Sequence, residues 1–311
     1  MKLKELKIGK LKVPVPIIQG GMAVRISTAP LAAAVANEGG IGVIAGTGMS
    51  PDELRQEIRL AREMSSGIIG VNIMFAVRKF ADLVQTAIDE GIDLVISGAG
   101  FSRDMFAWGK ESDVPIVPIV SSARLAVLAE KLGAAAVVAE GKEAGGHLGT
   151  DRPMKEILPE VKAAVRIPVI AAGGIVDGQD IKEVLEMGAD GVQMGTCFAA
   201  SVESNASDEF KELYVKAKKE DVVLIDSPVG MVGRGLRNDF QRLIEGDKTV
   251  EIEKCRGCLK KCSKKYCIIN ALNNACRGGD AARAVVFAGE QVEKVKEILP
   301  VRMIFQNLLN A

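Results

Sequence analysis

His147 is the only histidine in this chain of 311 residues, and it lies in a glycine-rich segment, 141–149. The segment follows an apolar run near 135–139. An imidazole titrates close to neutral pH and can accept or donate a proton in a reaction. A lone histidine is more often structural, but one in a polar loop after a buried strand has no core to fill. We therefore predict that His147 faces a substrate.

Cysteines form the second group of residues able to do chemistry. Five of the six cysteines lie between positions 255 and 276. Neighbouring lysines would lower the pKa of these thiols, as metal or cluster binding requires. We predict a metal site formed by Cys255, Cys258, Cys262 and Cys267, with Cys276 as the alternative fourth ligand. The spacing leaves three alternatives open: an iron–sulfur cluster, a structural zinc, or reduced thiols without metal.

Eight short apolar runs divide the first two thirds of the chain into repeated units. The runs are continuous rather than alternating, as in strands of a parallel sheet buried on both faces. Helical segments lie between them, one starting after Ser50 as N-cap and one over 177–187. The pattern predicts an α/β fold, a TIM (β/α)₈ barrel. The runs lie near 16–19, 42–45, 68–74, 94–97, 115–120, 135–139, 168–172 and 191–194.

Glycine and polar residues follow most of these runs. In a barrel the carboxyl ends of all strands meet at one face, where active sites form. The last two ends, Ala172-Gly173-Gly174 and Met194-Gly195-Thr196, predict a site for one phosphate, although ordinary tight turns have the same composition. No GxGxxG motif stands between a strand and a helix, so the sequence favours FMN over a dinucleotide such as FAD.

Composition and charge indicate a soluble enzyme acting on small molecules. Forty basic residues balance forty acidic ones, and this argues against nucleic acid as a partner. No segment has the eighteen apolar residues of a membrane span or the pattern of a signal peptide, so we expect a cytoplasmic protein without membrane contact. We predict a barrel over 1–220, a cap over 221–289 with the cysteine cluster on the substrate side, and a closing helix over 290–311, interrupted near Pro300, that packs back on the barrel.

Several motifs, in order and spacing, resemble the nitronate monooxygenase (2-nitropropane dioxygenase) family and the related enoyl-acyl carrier protein reductase II. The resemblance spans residues 10 to about 205, and beyond it the cysteine-rich stretch replaces the usual end of the enoyl reductases. The motifs are Gln19-Gly20-Gly21-Met22-Ala23, Gly70-Val71-Asn72-Ile73-Met74, Ala139-Glu140-Gly141 with Glu143-Ala144-Gly145-Gly146-His147, Ala171-Ala172-Gly173-Gly174-Ile175, and Gly195-Thr196.

The resemblance implies roles for individual residues. Gly21, Met22 and Asn72 would contact the flavin ring region, and His147 would face the reacting centre. Four residues would hold the FMN phosphate: Gly173, Gly174, Gly195 and Thr196. Further contacts to FMN would come from Glu140, Gly145, Gly146, Ala172 and Met194.

Three functions remain open at the level of sequence. The first is oxidation of an alkyl nitronate or nitroalkane, with O₂ regenerating the flavin and His147 binding the nitro oxygens or removing the α-proton. The second is an NAD(P)H-dependent enoyl reductase using the same site. The third is a non-redox barrel that binds a phosphate ligand, with the cysteines forming a zinc module that recruits a partner. We favour the first, and we also expect a homodimer.

Overall fold

The computed structural model describes residues 3–246 and 248–310. Eight parallel strands in this part of the chain form a closed barrel in the order β10-β11-β3-β4-β5-β6-β7-β8. Each is one of the eight predicted runs, with ends that differ by two residues at most, and the predicted TIM barrel is therefore confirmed. The strands are β1 Leu6–Ile8, β2 Leu11–Val13, β3 Ile17–Gln19, β4 Ile41–Ala45, β5 Ile68–Met74, β6 Leu94–Gly98, β7 Ile116–Val120, β8 Val137–Glu140, β9 Gly146–His147, β10 Val169–Ala172, β11 Gly191–Met194, β12 Val222–Asp226 and β13 Val232–Leu236.

Helices surround the barrel and follow its strands. Their starts are set by local side-chain caps: Ser50 and Glu53 form a capping box at one helix, and Asp177 and Asp180 form another. The Ser50 cap was predicted. The helices are α1 Ala29–Asn37, α2 Pro51–Met64, α3 Phe80–Asp89, α4 Asp104–Glu111, α5 Ala123–Leu132, α6 Met154–Ala164, α7 Gly178–Glu186, α8 Thr196–Ala199, α9 Asp208–Lys216, α10 Asp239–Ile244, α11 Ile268–Asn273 and α12 Val301–Asn310. None of these is long and apolar enough to cross a membrane.

A short hairpin plugs the amino-terminal end of the barrel. Strands β1 and β2 pair antiparallel, with Leu6 opposite Val13. Leu6, Ile8 and Val13 are buried in the same cluster as the interior barrel residues Ile18 and Val43. Each such side chain contributes roughly 1.5–3 kcal/mol relative to an exposed one. This plug closes the end of the barrel opposite the predicted site.

The segment 222–289 packs against the carboxyl-terminal face of the barrel, whereas α12 packs against the outer helices α1 and α7. Strands β12 and β13 pair with each other, and β13 also pairs with β9, so that Gly233 lies opposite His147. The cysteine-rich stretch is tied to the loop after β5 by a bridge between Val77 and Leu259. The predicted cap thus has a direct structural link to the strand that carries His147. Its exact boundaries, at 220 and 289, stay predictions.

The closing helix expected over 290–311 is α-helical only after Pro300, near which its interruption was predicted. A 3₁₀ turn, Val292–Lys294, comes first, and the α-helix α12 begins only at Val301. Pro300 explains why α12 starts so late, because the residue before a proline is driven out of helical geometry and proline itself suits a helix start. Lys294 in the non-helical part pairs with both Asp177 and Asp180 at the start of α7.

Candidate active site

A cavity opens at the carboxyl-terminal end of the barrel, and every residue predicted to bind a cofactor or substrate lines it. These residues come from the ends of β3, β5, β8, β10 and β11. Parallel strands in a closed barrel end at one face, so positions far apart in sequence meet there. The lining includes Gly21, Met22, Asn72, Glu140, Gly145, Gly146, His147, Ala172, Gly173, Gly174, Met194, Gly195 and Thr196.

Glycines at this face are required by close packing and by backbone conformation. A Cβ on Gly21 would lie 2.2 Å from Cβ of Asn72, so no larger residue fits between these two strand ends. Gly173 and Gly174 have φ of +104° and +71°, in the region that favours glycine. Successive amides in such a turn can face the same ligand. The strand ends therefore offer backbone N–H groups where side chains would block access.

The carboxyl-terminal segment completes the glycine-rich end of the cavity, which the sequence alone did not predict. The amide of Gly289 donates to Oγ1 of Thr196 at 3.0 Å. The Gln291 side-chain amide donates to the carbonyl of Gly174 at 2.7 Å. Both Gly289 and Gln291 line the cavity. The only sequence signal was the apolar run 284–288 that ends in Gly289.

Buried polar atoms in the cavity test whether the residues suit FMN. Oε1 of Gln193 is buried and lacks a hydrogen-bond partner among the described residues. A buried acceptor of this kind needs a donor, and the flavin ring N–H and the ribityl hydroxyls are donors. The described part of the lining has no Lys or Arg side chain. A phosphate there would depend on backbone amides, which the paired glycines supply, and the residues therefore fit FMN.

Glu140 is the acidic group at the end of β8. Its side chain is open to the cavity yet surrounded by protein, and this burial raises its pKa to about 8. Removing a carboxyl group from bulk water disfavours its charged form. Glu140 is therefore a neutral acid at pH 7 and can donate a hydrogen bond to a ligand.

His147 is held at the inner edge of the sheet formed by β12, β13 and β9. Its Nε2 lies 2.7 Å from Oγ of Ser227, in the turn between β12 and β13. The ring of Phe287 stands edge-on with centroids 5.0 Å apart. Burial lowers the pKa of His147 to about 4, so the imidazole is neutral at pH 7. A neutral imidazole in a cavity can act as a base or as a hydrogen-bond partner.

Part of the cavity wall is apolar. Helix α11 contributes Ile268 and Leu272, and helix α9 contributes Phe210 and Tyr214. Both helices lie after the barrel strands, in a part of the chain without periodic signals that identify a lining. This wall excludes water and suits an uncharged, hydrocarbon-bearing substrate.

The structure gives no support to the metal site predicted at the cysteines. Cys276 is buried, and its Sγ lies 3.0 Å from the carbonyl oxygen of Val24. Burial raises the pKa of this thiol to about 11, the opposite of what a metal thiolate requires. Cys255 and Cys262 are exposed, and both are free. Across residues 3–246 and 248–310, no group of three or more His, Cys, Asp or Glu could hold a metal ion, so the iron–sulfur or zinc prediction has no structural support.

Glycine-rich turns and a histidine at the carboxyl-terminal face of a barrel are features of barrel enzymes that act with a phosphate-bearing cofactor. The nitronate monooxygenase family model matches residues 4–311, and the chain belongs to that family. A probable nitronate monooxygenase of Staphylococcus aureus strain N315 is 30% identical over 275 residues, covering 74% of this chain and 77% of the relative.

Two solved structures are similar to the chain as a whole. FabK from Thermotoga maritima is 37% identical with a TM-score of 0.86, covering 96% of this chain and 92% of that one. A nitroalkane oxidase from Streptomyces ansochromogenes is 27% identical with a TM-score of 0.81, covering 96% and 95%. Members of this family are flavin enzymes, and this chain is an FMN-dependent oxidoreductase. That result leaves the non-redox alternative without support.

Proposed function

We propose that this protein oxidises alkyl nitronates and nitroalkanes with FMN and O₂. The observation that carries the proposal is a neutral histidine in a cavity whose described lining has no cationic side chain and includes an apolar wall. An uncharged nitroalkane suits such a cavity, and an unprotonated imidazole can take its α-proton. When bound, FMN would supply the redox chemistry, accepting two electrons from the substrate carbon and passing them to O₂.

The residues of this chain have separate roles in the proposal. Gly173, Gly174, Gly195 and Thr196 hold the phosphate through backbone N–H groups. Gly21, Met22 and Asn72 lie against the flavin ring. His147 moves the proton, and the apolar wall formed by α9 and α11 excludes water from the anion that results.

A second function, NAD(P)H-dependent enoyl reduction, is favoured by a separate observation. The similarity to Thermotoga maritima FabK covers 96% of the chain at 37% identity. The apolar wall would also accept the hydrocarbon part of an enoyl thioester. In that reaction His147 would have to donate a hydrogen bond to the developing enolate rather than accept a proton.

Anaerobic reduction of the bound flavin separates the two functions. Purified holoprotein is mixed with NADH, NADPH, 2-nitropropane or its nitronate, and flavin absorbance is followed. We expect bleaching by the nitro compounds and recovery of colour when O₂ is admitted. Rapid bleaching by NADH or NADPH, followed by reoxidation with an enoyl thioester, would instead establish the reductase.

We further propose that the protein works in the cytoplasm, because its six cysteines are free, as in a reducing compartment.

The expected homodimer stays a prediction. Light scattering coupled to size-exclusion chromatography measures it directly, since one chain has a mass of 33.0 kDa.

A further inference from the structure

The cysteine-rich stretch of the cap meets the loop after β5 in a short antiparallel clasp, formed by residues 76–78 and 258–260. Val77 and Leu259 are the bridge partners at its centre. Two backbone hydrogen bonds of 2.9 Å flank the bridge, from the amide of Lys260 to the carbonyl of Ala76 and from the amide of Arg78 to the carbonyl of Cys258. The clasp therefore fixes the backbone on both sides of Leu259 relative to the end of a barrel strand.

Side chains reinforce the clasp from both of its segments. Nε of Arg78 donates to the carbonyl of Leu259 at 3.0 Å. The ammonium group of Lys260 lies over the ring of Phe75, 3.4 Å from its centroid, and 5.4 Å from the centroid of Phe80. A cation at such a distance is attracted to the negative face of an aromatic ring. Lys260 therefore holds its own segment of the cap to two rings near the end of β5.

The side chain at the centre of the clasp, that of Leu259, lines the cavity. It is only 5% exposed. Met74 at the end of β5 and Ala99 after β6 line the same cavity. An apolar side chain in the lining occupies space that the hydrocarbon part of a ligand would otherwise fill. Because the backbone of Leu259 is fixed, its side chain sets a boundary of the cavity.

We propose that Leu259 is a specificity-determining residue that limits the size of the hydrocarbon group in the cavity, and that Lys260 is the positioning residue that keeps Leu259 in place. The cysteine-rich stretch thereby has a steric role in the selection of substrates. Where the hydrocarbon group belongs to a nitroalkane, the inference rests on the proposed function. The size limit itself does not.

Binding of unreactive probes tests the size limit without turnover. Linear alcohols from ethanol to 1-octanol are titrated into FMN-loaded protein, and the Kd of each is taken from the change in flavin absorption. Wild-type affinity should stop rising at a chain length that Leu259→Ala moves to longer alcohols, because the substitution removes most of the leucine side chain. Each additional methylene accommodated should lower the Kd by about fourfold. Leu236→Ala is the matched control, since Leu236 is a cap leucine only 4% exposed that is not among the described lining residues.

Substitutions of Lys260 test its positioning role. Lys260→Met removes the cation but keeps a long side chain, so the longer alcohols should gain affinity by about twofold to fivefold, the equivalent of an exposed cation–π interaction. Lys260→Arg should keep the wild-type profile, because a guanidinium also stacks on aromatic faces. Lys261→Met removes the same charge at the next, exposed position and should change nothing. A merely structural role would lower the melting temperature without shifting the preferred chain length.

Turnover provides the second readout. Leu259→Ala should raise kcat/KM for 1-nitrohexane relative to nitroethane by about tenfold. If the alcohol profile shifts as expected while no nitroalkane is turned over, the proposed function fails and the size limit stands. Identical alcohol profiles in the wild type and Leu259→Ala, including no binding by either, would overturn the inference. Equal shifts in Lys260→Met and Lys261→Met would overturn the role of Lys260.

Discussion

Two ionisable residues in the cavity, Glu140 and His147, have pKa values displaced in opposite directions by the same cause. Burial disfavours charge, so it raises the pKa of the carboxyl group to about 8 and lowers the pKa of the imidazole to about 4. Both side chains are neutral at pH 7. These two residues therefore provide a hydrogen-bond donor and a base without adding charge to the cavity.

His147→Ala should leave FMN bound and lower kcat/KM for 2-nitropropane by roughly a hundredfold or more, the range expected for loss of a general base. The imidazole becomes protonated as pH falls through about 4. Protonation of His147 should therefore lower wild-type activity only below pH 5. Steady-state kinetics from pH 4 to 9 measure both effects. An unchanged rate in the variant would remove His147 from the mechanism.

Glu140→Gln should remove a pH dependence of FMN binding. The wild-type carboxyl group is neutral below pH 8 and ionises above it, placing a negative charge beside an anionic cofactor. The Kd of the wild type should therefore rise as pH increases through about 8, whereas the Kd of the variant should stay level. Quenching of FMN fluorescence by apoprotein from pH 6 to 9 gives the two curves. Parallel curves would show that Glu140 does not face the cofactor.

At the level of elements, the turns after β10 and β11 present backbone N–H groups as donors, where many other phosphate sites use side chains. The turn after β10 is held by Gln291, whose amide bonds the Gly174 carbonyl, and by Lys294, which pairs with the cap of the following helix. A segment more than a hundred residues away thus fixes its shape. We expect disturbance of the turn to affect the cofactor more than the barrel.

Gly173→Ala tests this turn, with Gly188→Ala as its matched control. The two glycines have nearly equal φ, +104° and +102°, so both substitutions introduce similar backbone strain, about 1–2 kcal/mol. Gly188 lies outside the cavity. Both variants should therefore melt at lower temperature, but only Gly173→Ala should weaken FMN binding, by about tenfold or more. Equal FMN affinities in the two variants would place the phosphate elsewhere.

For the whole molecule, cofactor binding and folding are linked. A ligand at one hundred times its Kd stabilises the native state by about 2.7 kcal/mol. Added FMN should raise the melting temperature of apoprotein accordingly. FAD at the same concentration should have a much smaller effect, since the strand ends offer one phosphate site and no dinucleotide motif. Equal stabilisation by FAD in a thermal melt would contradict the single-phosphate assignment.

The sequence by itself determined the barrel and most of its cavity. Buried parallel strands appear as continuous apolar runs, and the residues just after them must lie at one face. The residues that follow the strands and the family resemblance together predicted the lining, and all thirteen predicted cavity residues, including His147 and Asn72, line the same space. The cysteines show the limit of this reasoning, because their spacing does not determine whether the thiols converge.

Only the tertiary structure decided which residues complete the site. Ser227 contacts His147 across 80 positions, and Gln291 contacts Gly174 across 117. The wall of α11 likewise lacks a local signal, since its role depends on how the cap folds over the barrel mouth. Spacing predicts contacts only within a repeating element. Contacts between the barrel and the cap are set by packing between distant segments, which no periodicity in the sequence encodes.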